Sequence, residues 1–325
     1  MQYTFGLSIC ITTFNMEKYI ERAIESVLMQ KVNVNYEIIV ADDCSTDNTI
    51  RILQHYQQKT GEHFKIIYAE KNRGLIENFA GALTASSGKY IASLDADDYW
   101  VDEYKLQKQV DVLNAHADIG FVHSNYLYVD EATGEKRIAN DMAYEPPKEN
   151  RFAERLLNFD IAISTTCFRR DILDFEELML FVQKKFHAQD FPLFLSLTRR
   201  SNEYYFKEAT AVYAVVHGSM SRESDMKKRI AVFEDVFRIS NFFAERYPVS
   251  ASVEIRRQFN HHQKVLFASW ATYDFGLVKK YSKQLTARQF LKYNPKALYV
   301  FVASKNKLLY RLFRPWLLRK RKVGK

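Results

Sequence analysis

With 325 residues, 47% of them hydrophobic and 26% charged, the chain has the length of one large α/β domain with an appendage, or of two domains, and an ordinary soluble globular composition. Its formal charge of +8 is concentrated at one end: residues 305–325 hold nine Lys or Arg and no acid, leaving 38 basic residues against 39 acidic ones elsewhere. No apolar run approaches the ~20 residues of a membrane span, no secretory leader precedes the first strand, and three cysteines without paired spacing (Cys10, Cys44, Cys167) suit reduced thiols in a cytoplasm.

Residues 7 to 123 read as repeated strand–helix units. Leu7 to Ile11 is a short strand, and Asn15 is a candidate cap for a helix whose apolar positions, Met16, Tyr19, Ile20, Ala23, Ile24, Val27 and Leu28, recur at helical spacing. Glu37 to Ala41 is a second strand. Asp42 to Asp47 supplies caps for a helix through Ile50, Leu53 and Tyr56 that stops near Gly61. Phe64 to Tyr68 leads through Asn72-Arg73-Gly74 into a third helix, and Gly88 separates that helix from the strand Tyr90 to Leu94. Alternation at this tempo predicts parallel strands joined by right-handed crossovers, a doubly wound α/β sheet whose ligands bind outside the carboxyl ends of the strands.

The fourth strand ends in Asp95-Ala96-Asp97-Asp98, three carboxylates within four positions. Carboxylates so close repel one another unless some keep a proton or a cation lies among them. Strand alternation directs Asp95 and Asp97 to one face and Asp98 to the other. A metal site and a solvated loop that caps the next helix both fit this pattern. The same sheet edge collects Thr12, Thr13 and Asn15 after the first strand, Asp42-Asp43 after the second and Arg73 after the third.

Leu7 to Asn15, Glu37 to Thr49, and Gly88 to Ile91 running into Asp95-Ala96-Asp97-Asp98 together resemble the family 2 inverting glycosyltransferases of the GT-A fold. The resemblance covers about the first 125 residues and continues more weakly to about residue 221. Thr12 stands where the family usually has proline and Cys44 where glycine is usual, so Cys44 implies a turn less dependent on glycine. The resemblance implies a nucleotide-diphosphate sugar as donor. Thr12 and Asp43 would contact the base, with Asp43 accepting the imide N–H of a uracil or thymine, and Thr13 and Asn15 would lie beside them. Arg73 would sit near the base or diphosphate, Asp95 would face the ribose, and Asp97 or Asp98 would hold Mg²⁺ or Mn²⁺, since oxygen-only ligands suit those ions.

Beyond the sheet core, Ile119 to His123 is a strand and Asp130 to Asn150 a polar, turn-rich stretch in which Glu145-Pro146-Pro147 cannot be helix interior. Thr165 to Arg169 reads as a further strand, with a helix beginning at Arg169-Arg170-Asp171. Gln189-Asp190 opens another helix at the place where the family has an acidic pair. By that resemblance Asp190 is the general base for the acceptor hydroxyl, and from the residue alone it is a helix cap. The strand Val212 to Val216 ends in His217-Gly218-Ser219-Met220-Ser221. The resemblance puts His217 at the metal or diphosphate, whereas a lone histidine is ordinarily structural.

The strand pattern gives way at residue 222 to amphipathic helices, Met226 to Tyr247-Pro248 and Val253 to Tyr273, so the expected domains are 1–221 and 222–325. The end, Leu308 to Lys322, interleaves leucine and aromatic residues with unopposed positive charge. That pattern predicts reversible docking on an anionic membrane surface at the inner face of the plasma membrane, with a solvated tail as the alternative and nucleic acid not expected. The predicted activity is metal-dependent hexosyl transfer to a hydroxyl of a glycan or lipid-linked acceptor in polysaccharide biosynthesis. The rival is a non-catalytic nucleotide-sugar-binding or scaffold protein of the same fold.

Overall fold

The run Leu7-Ser8-Ile9-Cys10-Ile11 has no charged residue, and in the computed structural model it forms the buried centre of strand β1 (Phe5–Thr13). Residues 3–140, 144–147, 150–158, 161–216, 226–272, 274–309 and 311–312 are described. They form two compact units, one from residues 1–155 and 159–219, the other from 156–158 and 220–325. The expected boundary at residue 221 falls outside the described residues.

In the first unit, β1 pairs in parallel with β2 (Tyr36–Asp42) on one side and β4 (Gly88–Asp95) on the other, and β2 pairs in parallel with β3 (Phe64–Tyr68). Helices α1 (Ile20–Leu28), α2 (Thr49–Thr60) and α3 (Leu75–Ala85) make the crossovers. Leu7, Ile9 and Ile11 pack with Ile20, Ile24 and Val27 of α1, because alternate strand residues meet the apolar stripe of the helix. Gly88 is required where β4 starts beside β1: a Cβ there would lie 2.4 Å from the Ser8 nitrogen.

The sheet then continues with mixed polarity. After β5 (Tyr99–Trp100) and α4 (Lys105–Ala115) come the long strand β6 (Ile119–Asp130) and β7 (Lys136–Ile138). Helix α5 (Arg151–Leu157) and β8 (Cys167–Arg169) lead to α6 (Phe175–Gln183), α7 (Asp190–Arg200) and β9 (Asn202–Val215). The sheet order is β3-β2-β1-β4-β8-β6-β9-β5, with β7 on β6. β8 is antiparallel to both β4 and β6, whereas β9 runs parallel to β6. This is a GT-A-type, mostly parallel sheet.

Two helix starts differ from expectation. α1 begins at Ile20, and Asn15 does not cap it; Asn15 adopts a left-handed backbone (φ 54°) and its side-chain oxygen accepts the Thr46 N–H at 2.8 Å. α6 begins at Phe175 with Asp174 accepting the Glu177 N–H, later than Arg169–Asp171, which end β8 and form a short 3-10 turn.

In the second unit, α8 (Met226–Arg246), α9 (Ala251–Ala271), α10 (Phe275–Lys283), α11 (Ala287–Tyr293) and α12 (Leu298–Ser304) enclose a core that includes Phe259, Leu266, Trp270, Phe290 and Val300. Ser250 and Asp274 cap α9 and α10, and Thr286 with Gln289 forms a capping box on α11. His261 stacks on Phe237 at 3.9 Å, a packing role.

Candidate active site

The carboxyl ends of β1 and β4 lie side by side, with Thr12 paired to Asp95 in the ladder. The Thr12 hydroxyl donates to Asp95 Oδ1 at 2.9 Å. From the start of α7 the Gln189 amide donates to the same oxygen at 2.7 Å. The strand ends at Asp95 in a tight turn: the Ala96 N–H bonds the Thr12 carbonyl and the Asp98 N–H the Asp95 carbonyl.

This turn sorts the three aspartates. Asp98 is 2% exposed, and its carboxylate accepts the Ser164 hydroxyl on Oδ2 and the Ala214 N–H of β9 on Oδ1. Asp95 and Asp97 remain half-buried. Ser164 also accepts the Asp95 N–H, and its carbonyl takes the indole N–H of the buried Trp100. Arg22 of α1 stacks on Tyr99, pairs with Glu131 at 2.8 Å and donates to the Asp97 carbonyl, which fixes the outer side of the turn.

Burial, and then the repulsion of Asp95, pushes the Asp97 carboxyl up to about 7. Asp190, the first residue of α7, is half-buried and likewise pushed up to about 7, first by burial and then by Asp95. Burial also raises Asp95, against the hydrogen bonds from Thr12 and Gln189. Asp98 lies well above the usual range through burial and the neighbouring carboxylates. Asp95, Asp97 and Asp190 thus form one electrostatic group. Asp190 Oδ1 accepts the Phe191 N–H at 2.8 Å, but Gln189 holds the cap position and no side chain caps α7.

A second set of loops lines the same edge beyond β2. Asp43 is nearly buried, and its two carboxylate oxygens accept the N–H groups of Arg73 and Gly74 at 2.7 and 2.9 Å. Gly74 lies at φ 88°, which glycine adopts without strain. The Arg73 side chain is partly exposed beside Glu77. Asp42 turns inward to the Ser45 N–H and hydroxyl, and Ser45 in turn accepts the Asn15 N–H. Thr13 is buried, and its hydroxyl has no hydrogen-bond partner. Cys44 lies at φ 66°, so this position keeps the left-handed conformation that glycine would satisfy, where a turn less dependent on glycine was expected.

The structure therefore brings Thr12, Asp95, Asp97 and Asp190 together, with Asp43, Arg73 and Asn15 on adjoining loops. It turns Asp98 into the protein. His217 lies outside the described residues, as does most of the basic tail. No group of three or more His, Cys, Asp or Glu side chains poised to enclose a metal occurs among the described residues. Sequence reasoning missed Ser164 and Arg22; neither sits in a motif, and each reaches the acidic turn only through the fold. Gln189 was visible only as a missing charge.

A parallel sheet whose fourth strand runs into an acidic turn, with a carboxylate facing that turn from a later helix, defines a GT-A domain. The chain belongs to glycosyl transferase family 2, whose family model matches residues 8–175. A Mycobacterium tuberculosis protein is 38% identical over 128 residues, which are 39% of this chain and 37% of that one, so the chain spans little more than a third of this relative's length. The putative teichuronic acid biosynthesis glycosyltransferase TuaG of Bacillus subtilis is 29% identical over 237 residues, 72% of this chain and 89% of TuaG. The UDP-Glc:alpha-D-GlcNAc-diphosphoundecaprenol beta-1,3-glucosyltransferase WfaP of Escherichia coli is 29% identical over 237 residues, 70% of this chain and 87% of WfaP. The fold is shared with S. aureus TarS 1-349 in complex with UDP-GlcNAc (TM-score 0.66, 17% identity, 97% of this chain and 92% of that). It is shared also with the mannosyltransferase PcManGT from Pyrobaculum calidifontis in complex with GDP-Man and Mn2+ (TM-score 0.53, 14% identity, 97% and 88%).

Proposed function

We propose that this protein transfers a sugar from a UDP-sugar to a hydroxyl of a glycan or lipid-linked acceptor, with inversion at the anomeric carbon, in the building of a bacterial surface polysaccharide. The observation that carries this reading is the convergence of three half-buried carboxylates, Asp95, Asp97 and Asp190, at the carboxyl edge of the sheet. Asp190 acts as general base. Its carboxylate takes the proton of the acceptor hydroxyl while the oxygen bonds to the anomeric carbon and the diphosphate leaves from the opposite face. A base pushed up toward neutrality is matched to that task.

The residues at hand fit a hard divalent cation. Asp97 offers oxygen only, beside Asp95, in a group whose mutual repulsion a cation relieves. Bound Mg²⁺ or Mn²⁺ would supply charge neutralisation to the departing diphosphate. Asp97 is the ligand of this reading, not Asp98, whose oxygens are engaged by Ser164 and Ala214. Donor phosphates and water would complete the shell. Thr12, Asp43 and Arg73 line the side where the base and ribose would lie.

The test is calorimetric titration of UDP-glucose, UDP-N-acetylglucosamine and GDP-mannose, each with and without Mn²⁺. Binding of a UDP-sugar that weakens at least tenfold without Mn²⁺, or in Asp97→Asn, supports the reading. No binding by any of the three, or binding indifferent to Mn²⁺, overturns it. The rival of a non-catalytic binding protein is favoured if a sugar nucleotide binds and the wild type turns none over, whereas turnover unchanged in Asp190→Asn overturns the assignment of the base.

A lipid-linked acceptor would put the enzyme at the inner face of a membrane. No described helix is long and apolar enough to cross a bilayer. Leu308 and Leu312, 65% and 64% exposed and four residues apart, lie in a region with nine basic residues and no acid between 305 and 325. Near an anionic leaflet each basic residue contributes about 1 kcal/mol. Co-sedimentation with vesicles of phosphatidylglycerol but not of phosphatidylcholine is expected at physiological salt, and no co-sedimentation with either excludes docking.

A further inference from the structure

We infer that Gln189 is a donor-positioning residue, whose amide holds the Asp95 carboxylate in the orientation that faces the sugar nucleotide. This inference rests on the proposed donor site.

Three observations carry it. Gln189 is 2% exposed, so its rotamer is set by packing, and its Nε2 lies 2.7 Å from Asp95 Oδ1. That oxygen also accepts the Thr12 hydroxyl at 2.9 Å, so two neutral donors from different elements, β1 and α7, meet on one carboxylate oxygen. Asp95 Oδ2 accepts no hydrogen bond from a described residue, and the half-buried carboxylate keeps it available. Two donors on Oδ1 fix the carboxylate plane and thereby the direction of Oδ2.

The third observation concerns the other end of the amide. Gln189 Oε1 is buried and accepts no hydrogen bond. A buried amide normally satisfies its carbonyl, and here it gives that up because only its N–H end can face a carboxylate. A charge-assisted bond outweighs the unmet acceptor. The side chain is thus turned by Asp95.

The same geometry gives the amide a consequence for charge. A glutamate in this rotamer would set a second carboxylate 2.7 Å from Asp95, in a group that already holds Asp97 and Asp190. An amide of equal length removes that charge and supplies a donor in its place.

The experiment compares wild type, Gln189→Glu and Gln189→Leu, using the tightest binder among UDP-glucose, UDP-N-acetylglucosamine and GDP-mannose with Mn²⁺. Dissociation constants come from calorimetry, donor KM and kcat from release of the nucleotide, and melting temperature from thermal shift. Both variants are expected to weaken donor binding and raise donor KM by about tenfold to a hundredfold, Glu more than Leu, with kcat within about threefold. A structural role would lower the melting temperature and the active fraction while donor KM stays put. That pattern, or unchanged binding in a folded variant, overturns the inference. If Leu fails to fold, the isosteric Glu variant decides alone. If wild type binds none of the three nucleotides, the proposed function falls and the inference with it.

Discussion

The two edges of the parallel sheet hold carboxylates under opposite conditions. At the amino edge Glu37 is fully buried and fully answered: Ser8 and Ser87 hydroxyls and the Ser87 N–H donate to Oε1, and Lys65 lies 2.7 Å from Oε2. Burial alone would raise its carboxyl, but the Lys65, Ser8 and Ser87 donors outweigh it and hold it below its ordinary value of 4.5. At the carboxyl edge Asp95, Asp97 and Asp190 share few donors, repel one another and are all raised. The first edge ties four strand starts together. The second gathers unfavourable charge, which in the proposed reaction a cation and a donor relieve.

Exchanging the two kinds of acid is the sharpest way to break this contrast. Asp190→Asn should leave a folded protein whose turnover falls by about 10²-fold to 10⁴-fold, measured as nucleotide release with acceptor present. Glu37→Ala should do the reverse. It leaves the Ser8 and Ser87 donors without their acceptor while the half-exposed Lys65 returns to solvent, and should cost about 1–3 kcal/mol in denaturant unfolding, with kcat per folded molecule unchanged.

The pH dependence separates the edges more gently. Asp190 has a folded pKa of about 7 against an ordinary 3.8, so the folded state binds more protons between those values. Its contribution to stability is greatest below about pH 4 and is lost as pH rises toward 7. Glu37 has the opposite sign, with stability present above 4.5 and lost as pH falls. Melting temperatures from pH 5 to 8 should therefore decline less in Asp190→Asn than in wild type. The smallest effect concerns the strained turn beside Asp43. Cys44→Gly should stabilise the fold by about 0.5–1 kcal/mol, read from the denaturation midpoint, since φ 66° suits glycine.

The sequence carries β1 to β4, their crossovers and the carboxyl-edge constellation clearly, because uninterrupted apolar strands and Gly-punctuated helices are local signals. It sorts Asp98 away from Asp95 and Asp97 through strand alternation, and the three do part company, although a tight turn and the partners Ser164 and Ala214 are the cause. Asn15 misleads because a residue that favours caps also tolerates the left-handed conformation, and here the loop around Thr46 claims it. The first half of β9 escapes notice because Lys207 and Glu208 interrupt its apolar run, and it is strand only through pairing with β6. Long-range partners of this kind leave no trace in spacing.

The pairing of β6 with β9 has one further consequence. From Phe206 to Ala211 the two strands fall out of step, with β9 advancing further along its sequence than β6 does opposite Ser124, Asn125 and Tyr126. Just beyond this slack, the Ala214 N–H reaches Asp98. The bulge is thus a length adjuster, setting which amide of β9 arrives behind the acidic turn. Shortening the chain at residues 207–208 would keep the pairing of β6 with β9 and deliver a different residue to Asp98, so the geometry of the acidic turn is tuned by backbone several residues away in β9.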